Sequence, residues 1–170
     1  MNETCILQVE DDANDVFLLQ RAFLEVGINN PVQVATDGET AIEYLQGTGV
    51  YANRVKYPLP GLVLLNLKLP RISGREVLQW IRSRPGLKRM IVIVFTSAQY
   101  AGDIGLAYEL GASSFVFKPT DFTHYSEIAR SLKAWWLRCN RFPDLPQTTL
   151  ALAGLGDVPE PSHTTRARPF

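Results

Sequence analysis

Five short apolar runs alternate with segments of helical period along this chain of 170 residues. Several of the runs are rich in valine and isoleucine, and all of them are short. They occupy residues 5–9, 32–35, 62–65, 90–95 and 114–117. This alternation predicts one α/β domain in which a parallel sheet is covered by helices. We expect all five runs to be buried strands, because helices cover both faces of such a sheet.

The segments between the runs carry apolar stripes with the spacing of a helix. In residues 14–26 apolar side chains recur every three or four positions, from Val16 to Val26, and Gly27 is placed to end the helix. The same argument predicts four more helices, over or near residues 38–46, 74–84, 101–110 and 128–139.

Two segments have the pattern of neither a helix nor a strand. The residues after Asn140 are rich in Pro, Thr, Ala and Gly, which favours disorder. We therefore predict one domain over residues 4–140 and a flexible C-terminal tail over residues 141–170. Residues 47–61 form a connection longer than the usual span of about 2–6 residues. We interpret them as an exposed surface loop, either an interaction element or a tolerated insertion.

Charge and cysteine content narrow the classes of partner and location. Lys plus Arg equals Asp plus Glu at 17 each, so no basic surface argues for nucleic acid or an anionic membrane. The tail is shorter than the roughly 40 residues that a domain needs to fold unaided, which argues against a DNA-binding output domain. We expect neither a membrane span nor an export signal. Two isolated cysteines, Cys5 and Cys139, fit a reduced cytoplasmic protein.

Two adjacent tryptophans near the end of the last predicted helix bear on oligomeric state. Trp135 and Trp136 point about 100° apart on a helix, so both cannot face the core. We predict that one of them is partly exposed. An exposed aromatic here would suit a homodimer or another partner surface, although single exposed aromatics are also common.

Polar side chains follow four of the five predicted strands. They are Glu10, Asp11 and Asp12 after the first strand, Asn66 after the third, Thr96 and Ser97 after the fourth, and Lys118 after the fifth. Ligands and catalytic groups collect where parallel strands end, so we expect these side chains to converge. The consecutive carboxylates predict a pocket for a hard cation such as Mg2+. The alternative is that Asp11, Asp12 and Asn14 only begin and cap a helix.

Four motifs at these strand ends resemble those of response-regulator receiver domains in two-component signalling. The motifs are Val9-Glu10-Asp11-Asp12, residues 64–70 with Ser73-Gly74, Val94-Phe95-Thr96-Ser97 and Phe115-Val116-Phe117-Lys118-Pro119. The resemblance covers residues 4–139 and implies a flavodoxin-like (βα)5 fold with a five-stranded parallel sheet of order 2-1-3-4-5. Residues 14–23 and the segment Tyr57-Pro58-Leu59-Pro60 are similar to small single-domain regulators that pair with phytochrome-type histidine kinases.

The resemblance also implies a role for each strand-end residue. The family's Mg2+ ligands correspond to Asp11 directly, to Glu10 through water and to the backbone carbonyl of Lys68. The position of Thr96 supplies a hydroxyl group to the phosphoryl group. The position of Lys118 supplies a positive charge to the phosphoryl oxygens, which suits a reaction that depends on positioning and electrostatic stabilisation.

Phe115 corresponds to the aromatic residue that switches rotamer in the family. In that switch the ring turns inward as the threonine side chain moves towards the phosphate. The alternative is that Phe115 is an ordinary core residue of a buried strand. It lacks the hydroxyl group of the frequent tyrosine, so only its packing could report its position.

The sequence departs from the family at the residue that accepts the phosphoryl group. Asn66 stands where the family has an aspartate, and an amide oxygen is a poor nucleophile. The resemblance therefore implies that phosphotransfer is disabled. Loss of one negative charge also weakens Mg2+ binding, although an amide carbonyl can still coordinate. The implied metal ligands are Glu10, Asp11, Asn66 and the carbonyl of Lys68. We further expect Lys118 to face the acidic residues and to donate a hydrogen bond to Asn66.

Two explanations of Asn66 are open. Either the natural protein is a pseudo-receiver that signals without phosphorylation, or an engineered substitution has silenced an ordinary Mg2+-dependent, phospho-accepting receiver. We favour the first, because nothing else in the chain looks artificial. The chain is then an interaction module, not an enzyme, that binds a histidine kinase, a phosphotransfer protein or another regulator. A nucleotide or small-ligand binder is a third class, against which Gly102 and Gly105 argue because they form no phosphate-cradling loop after a strand.

Overall fold

A five-stranded parallel sheet forms the centre of the structure, a computed structural model that describes residues 4–97 and 101–146. The strand order is β2-β1-β3-β4-β5, so the flavodoxin-like fold is confirmed. Each strand begins and ends within one residue of its predicted bounds. The strands are β1 Ile6–Val9, β2 Val32–Ala35, β3 Leu62–Leu65, β4 Ile91–Thr96 and β5 Ser114–Phe117.

Five α-helices connect and cover the strands. They are α1 Ala13–Glu25, α2 Gly38–Gln46, α3 Gly74–Ser83, α4 Ala101–Glu109 and α5 Phe122–Leu132, with a 3-10 turn at Gly49–Ala52. Short polar side chains begin several of them. Ser73 and Glu76 form a reciprocal capping box at the start of α3, which satisfies amides that the helix leaves without a partner. In the described part of the chain, no helix is long and apolar enough to cross a membrane.

Alternation along the strands divides the core between the two faces of the sheet. Leu7, Val63 and Val92 lie in register and pack in the cluster to which α2 and α3 contribute. The neighbouring residues Ile6 and Leu62 pack in the opposite cluster, with α1 and α5. The three central strands are therefore buried on both faces, as parallel strands under helices should be.

The two edge strands correct the expectation that all five strands are buried. Residues of β2 and β5 are mostly half-buried, and Phe117 at the end of β5 is 43% exposed. The strand order explains this difference, because β2 and β5 each have a neighbouring strand on one side only. Composition alone did not distinguish edge strands from central ones.

The segment at residues 47–61 is only partly the exposed surface loop that we expected. The guanidinium group of Arg54 donates to the backbone carbonyls of Tyr44 at 2.8 Å and of Tyr57 at 3.3 Å. The Tyr44 and Tyr57 rings meet edge to face, with centroids 6.2 Å apart. Val55, in contrast, is 96% exposed. One side of the segment is therefore anchored to α2, and the other faces solvent.

Helix α5 continues into a π-helical segment, Lys133–Cys139, that rests on α1. The Lys133 Nζ atom donates to the carbonyl of Val26 at 2.5 Å, just after α1 ends. Trp135 is 63% exposed, whereas Trp136 packs against the cluster between α1, α5 and the sheet. The prediction that one of the two tryptophans is exposed is confirmed.

Residues 141–146, which we call the C-terminal strap, cross the edge of the sheet where the strands begin. Phe142 packs against the core cluster on the α1 and α5 face, and Leu145 packs against the cluster on the other face. The Phe142 ring also comes within 3.3 Å of the place where Gly61 would carry a Cβ atom. These contacts lie within the predicted tail, whose residues 147–170 are outside the described residues. The domain boundary at residue 140 stays a prediction.

Removing the C-terminal strap should destabilise the domain. We expect a chain that ends at residue 140 to lose about 2 kcal/mol of unfolding free energy relative to one that ends at residue 146. This loss corresponds to partial burial of Phe142 and Leu145. Urea unfolding of the two chains measures it. Equal stability would mean that the strap packs too loosely to contribute.

Candidate functional site at the carboxyl edge of the sheet

Backbone hydrogen bonds fix three of the strand-end residues on the sheet. The amide of Glu10 donates to Ala35 at 2.9 Å, that of Asn66 to Val9 at 3.0 Å and that of Lys118 to Thr96 at 2.9 Å. Each of these residues follows the last residue of its strand and extends the ladder of the sheet. Their side chains therefore begin at the same edge of the sheet and meet in one site.

The side-chain amide of Asn66 lies at the centre of the predicted site. Its nitrogen donates to Glu10 Oε1 at 3.1 Å, to Asp11 Oδ1 at 3.3 Å and to the backbone carbonyl of Lys68 at 2.9 Å. Its oxygen accepts from Thr96 Oγ1 at 3.0 Å and from the backbone amide of Lys68 at 3.3 Å. Asn66 is 5% exposed, so both ends of the amide are engaged in a nearly closed space.

This network also fixes which end of the Asn66 amide is the nitrogen. Oxygen and nitrogen of an asparagine are distinguished by their hydrogen-bond partners. The nitrogen faces three acceptors, and the oxygen faces the N–H group of Lys68, which can only donate. In the reversed orientation, the oxygen would face two carboxylates and a carbonyl. The orientation with the nitrogen toward Glu10 and Asp11 is therefore the favourable one.

The ammonium group of Lys118 bridges two carboxylates. It lies 2.5 Å from Glu10 Oε2 and 2.7 Å from Asp15 Oδ2. The side chains of Lys118 and Glu10 are 5% and 3% exposed. Burial raises the pKa of Glu10, and the hydrogen bond and charge of Lys118 act in the opposite direction. Lys118 thus provides the positive charge that a buried carboxylate requires.

Asp15 and Tyr125 are parts of the site that the sequence analysis missed. Asp15 binds Lys118 through one carboxylate oxygen, and the hydroxyl group of Tyr125 donates to the other at 3.0 Å. Burial and the nearby Asp15 raise the pKa of Tyr125. The available signal was the place of Asp15 in the first turn of a helix that begins at the site, with an aromatic residue early in the last helix.

Two expectations about the acidic residues need correction. Lys118 was expected to face Asp12 and to donate to Asn66, but Asp12 accepts from the backbone amides of Asn14 and Asp15 and caps α1. The oxygen of Asn66 already receives two donors other than Lys118. The helix-capping alternative is thus correct for Asp12, whose carboxylate accepts hydrogen bonds from backbone amides at the start of α1.

Phe115 is the second residue of β5 and lies three positions before Lys118. It pairs with Val94 of β4, is half-buried and packs with Leu67 and Ala107. Its ring meets that of Phe117 at 5.2 Å between centroids. Phe115 therefore belongs to the packing between β5 and α4, and a switching role for it stays a prediction.

Ion pairs hold the loop after β3 against the start of α2. Arg71 has a left-handed backbone with φ of 63°, and its guanidinium group lies 2.5 Å from Asp37 and 3.2 Å from Glu39 at the start of α2. Burial alone would raise the pKa of Asp37, but hydrogen bonds from Thr40 and Arg71 lower it overall. These contacts keep the segment that carries Lys68 close to the sheet.

The residues of the site do not match the ligand set of a divalent cation as they stand. Among residues 4–97 and 101–146, no group of three or more His, Cys, Asp and Glu side chains is arranged to hold a metal ion. Glu10, Asp11 and the carbonyl of Lys68 do converge, but they converge on the N–H groups of Asn66. A cation would meet hydrogen-bond donors at the place where it needs oxygen ligands.

Comparison with known proteins agrees with the motifs at the strand ends. The family model described as the response regulator receiver domain matches residues 6–130. The chain belongs to this family. Response regulator Rcp1 of Synechocystis is 33% identical over 81% of this chain and 92% of its own length. The chain is thus a receiver-domain response regulator of two-component signalling, similar to Rcp1.

Solved structures of relatives have the same fold. The Mn(2+)-bound form of response regulator Rcp1 superposes with a TM-score of 0.76 over 83% of this chain and 99% of that one, at 33% identity. The phosphorylated cyanobacterial phytochrome response regulator RcpA gives 0.77 over 84% and 99%, also at 33% identity. The bacteriophytochrome response regulator AtBRR gives 0.67 over 83% and 100%, at 37% identity. Receiver domains of this family bind Mg2+ in general, and they interact with histidine kinases or phosphotransfer proteins.

Proposed function

We propose that this receiver domain is a pseudo-receiver that acts by protein–protein interaction and has lost phosphotransfer. The observation that carries the proposal is the place of Asn66. Its side chain follows β3 and contacts Glu10, Asp11, Lys68 and Thr96. These are the residues that the resemblance assigns to the metal and the phosphoryl group, which supports the assignment of Asn66 to the phospho-acceptor position.

The chemistry of an amide explains why Asn66 would not accept a phosphoryl group. The amide oxygen has little nucleophilic character, and here its lone pairs already accept from Thr96 and from the backbone of Lys68. Asp15 cannot replace it, because its two oxygens are bound to Lys118 and Tyr125. Thr96 and Lys118 remain beside the site as the hydroxyl and the charge that phosphotransfer would use.

The proposed partners are a histidine kinase, a phosphotransfer protein or another regulator of a phosphorelay. The relatives RcpA and AtBRR are named as response regulators of phytochrome type, which makes a phytochrome-type kinase a reasonable first partner to test. Output through a partner, and not through DNA, is part of the proposal. So is a cytoplasmic location, which the free Cys5 and Cys139 support.

A phosphorylation assay tests the proposal. We expect no phosphoryl adduct on the wild-type chain after incubation with acetyl phosphate and Mg2+, because no carboxylate oxygen stands at position 66. We expect the Asn66→Asp variant to gain one adduct, because Thr96 and Lys118 are still in place. Intact-mass spectrometry measures both. Asn53→Asp is the matched control, since Asn53 is an exposed loop residue far along the chain from the strand ends.

The three outcomes of the assay have different meanings for the site. A stable adduct on the wild-type chain would sink the proposal. An adduct on Asn66→Asp alone would mean that a single residue silences an otherwise competent site. No adduct on any form would mean that the surrounding residues have also changed, and that the domain is a scaffold.

A further inference from the structure

We infer that the protein's own N–H groups take the place of a divalent cation in this site, so that the site is complete without metal. The inference rests on the proposed function and deepens it, since it states how the silent site is held together. It concerns the Asn66 amide and the Lys118 ammonium group. The two donors bind different oxygens of the Glu10 carboxylate.

The Asn66 nitrogen lies among a cluster of oxygen atoms and donates hydrogen bonds to them. Three oxygens from two segments surround the nitrogen at 2.9 to 3.3 Å, namely Lys68 O after β3 and Glu10 Oε1 and Asp11 Oδ1 after β1. Carboxylate and carbonyl oxygens are the ligands that Mg2+ and Ca2+ take. Here the partial positive charge of an NH2 group faces them in place of an ion.

Both carboxylate oxygens of Glu10 and both of Asp15 accept from at least one donor of the protein. Glu10 Oε1 accepts from Asn66 and from the backbone amide of Asp12, and Glu10 Oε2 accepts from Lys118. Asp15 accepts from Lys118 and Tyr125. If a cation displaced these donors, the buried carboxylates would lose the hydrogen bonds that they now accept. The carboxylate oxygens of Glu10 and Asp15 are therefore satisfied by donors of the protein without a metal ion.

Admission of a cation would require Asn66 to rotate its amide. Rotation would turn the amide oxygen toward Glu10 and Asp11, where it could coordinate an ion. It would also turn the NH2 group onto the N–H group of Lys68, placing two donors against each other where an acceptor now lies. The bound state would thus lose the hydrogen bond from the backbone N–H of Lys68 to the Asn66 oxygen and bring two donors together in its place. An aspartate has no such conflict, because both of its ends accept.

Metal titration of the full chain tests the inference. The wild-type, Asn66→Asp and Asn53→Asp chains are freed of metal with a chelator and unfolded by heat in rising MgCl2, with NaCl at matched ionic strength as the control series. We expect the melting temperature of the wild-type and Asn53→Asp chains to change by less than about 1 °C at about 10 mM Mg2+. We expect that of Asn66→Asp to rise by about 5 °C, because its added carboxylate needs a cation.

Direct Mn2+ binding gives a second readout, which does not require the protein to be unfolded by heat. The electron paramagnetic resonance signal of free Mn2+ falls when the ion binds, and we expect a fall with Asn66→Asp only. Mn2+ bound by the wild-type chain with an affinity within about tenfold of the variant would overturn the inference. So would a lack of response in the folded Asn66→Asp variant, since Asn66 would then not be what excludes the ion. Neither readout contains a phosphoryl donor, so a failure here is distinct from a failure of the phosphorylation assay.

Discussion

Replacement of Lys118 by methionine is expected to lower the free energy of unfolding by about 3–5 kcal/mol, the usual cost of removing one partner of a buried ion pair. The change would leave the carboxylate of Glu10, which is 2% exposed, without its nearest positive charge. Glu10 would keep the donors from Asn66 and Asp12, so we expect the lower end of the range. Urea unfolding at neutral pH measures the loss.

Two further variants show whether the loss comes from the pair. Lys68→Met removes a lysine whose side chain is exposed and which serves the site through its backbone alone; we expect a change within about 0.5 kcal/mol. Glu10→Gln combined with Lys118→Met removes both charges and should recover much of the stability. If Lys118→Met costs no more than Lys68→Met, the pair has no structural role.

The pH dependence of Lys118→Met has a definite sign. Burial already raises the pKa of Glu10 in the wild-type protein, and Lys118 opposes that rise. Without Lys118 the folded-state pKa should rise further above the unfolded value of about 4.3. The folded state then binds the proton on Glu10 more tightly, so the contribution of Glu10 to stability is greatest below the unfolded-state pKa and is lost as pH rises through the folded-state pKa. The stability deficit of the variant should therefore shrink toward pH 4.

Gly74→Ala should be nearly as damaging, with an expected loss of about 3 kcal/mol, at the upper end of the cost of overpacking. A Cβ atom on Gly74 would lie 2.0 Å from the backbone oxygen of Asn66 and 2.8 Å from the Cα atom of Leu67. Both obstacles are backbone, so neither can rotate away. The start of α3 would have to move off the end of β3, and the contacts of Asn66 would move with it.

Gly105→Ala is the matched control for this prediction. Gly105 is exposed within α4 and has no atom within 4 Å of the place where a Cβ atom would stand. Alanine favours a helix over glycine by about 0.5–1 kcal/mol, so the same substitution should stabilise the protein there. Thermal unfolding of the two variants should shift in opposite directions. A Gly74→Ala protein as stable as wild type would mean that α3 and β3 can separate without cost.

Most of the fold was readable from local pattern. Apolar runs placed every strand within one residue, and Gly27, which has a left-handed backbone, follows the end of α1 as expected. Convergence of Glu10, Asn66 and Lys118 followed from the rule that parallel strands end at one edge of the sheet. These features depend on residues close together in sequence, or on one geometric property of parallel sheets.

The contacts between residues far apart in the sequence could not be predicted from local pattern. Lys118 pairs with Asp15, 103 positions away, and Tyr125 reaches the same carboxylate across the interface of α1 and α5. Which of several nearby carboxylates a lysine selects depends on helix rotation by a few tens of degrees, which hydrophobic period does not specify. The packing of Phe142 and Leu145 was hidden for another reason, since they stand in a segment whose composition is that of a linker.

The C-terminal strap and the site lie at opposite ends of the sheet, which determines where other proteins can be attached. Leu145 lines a cavity together with Thr4, Cys5 and Gly61, which precede β1 and β3, whereas Asn66 and Lys118 follow the opposite ends of their strands. A surface linker, a fluorescent protein or a second domain attached after residue 146 therefore leaves from the end of the sheet remote from Asn66. Immobilised in that way, the molecule presents Asn66 and the whole carboxyl edge of the sheet outward.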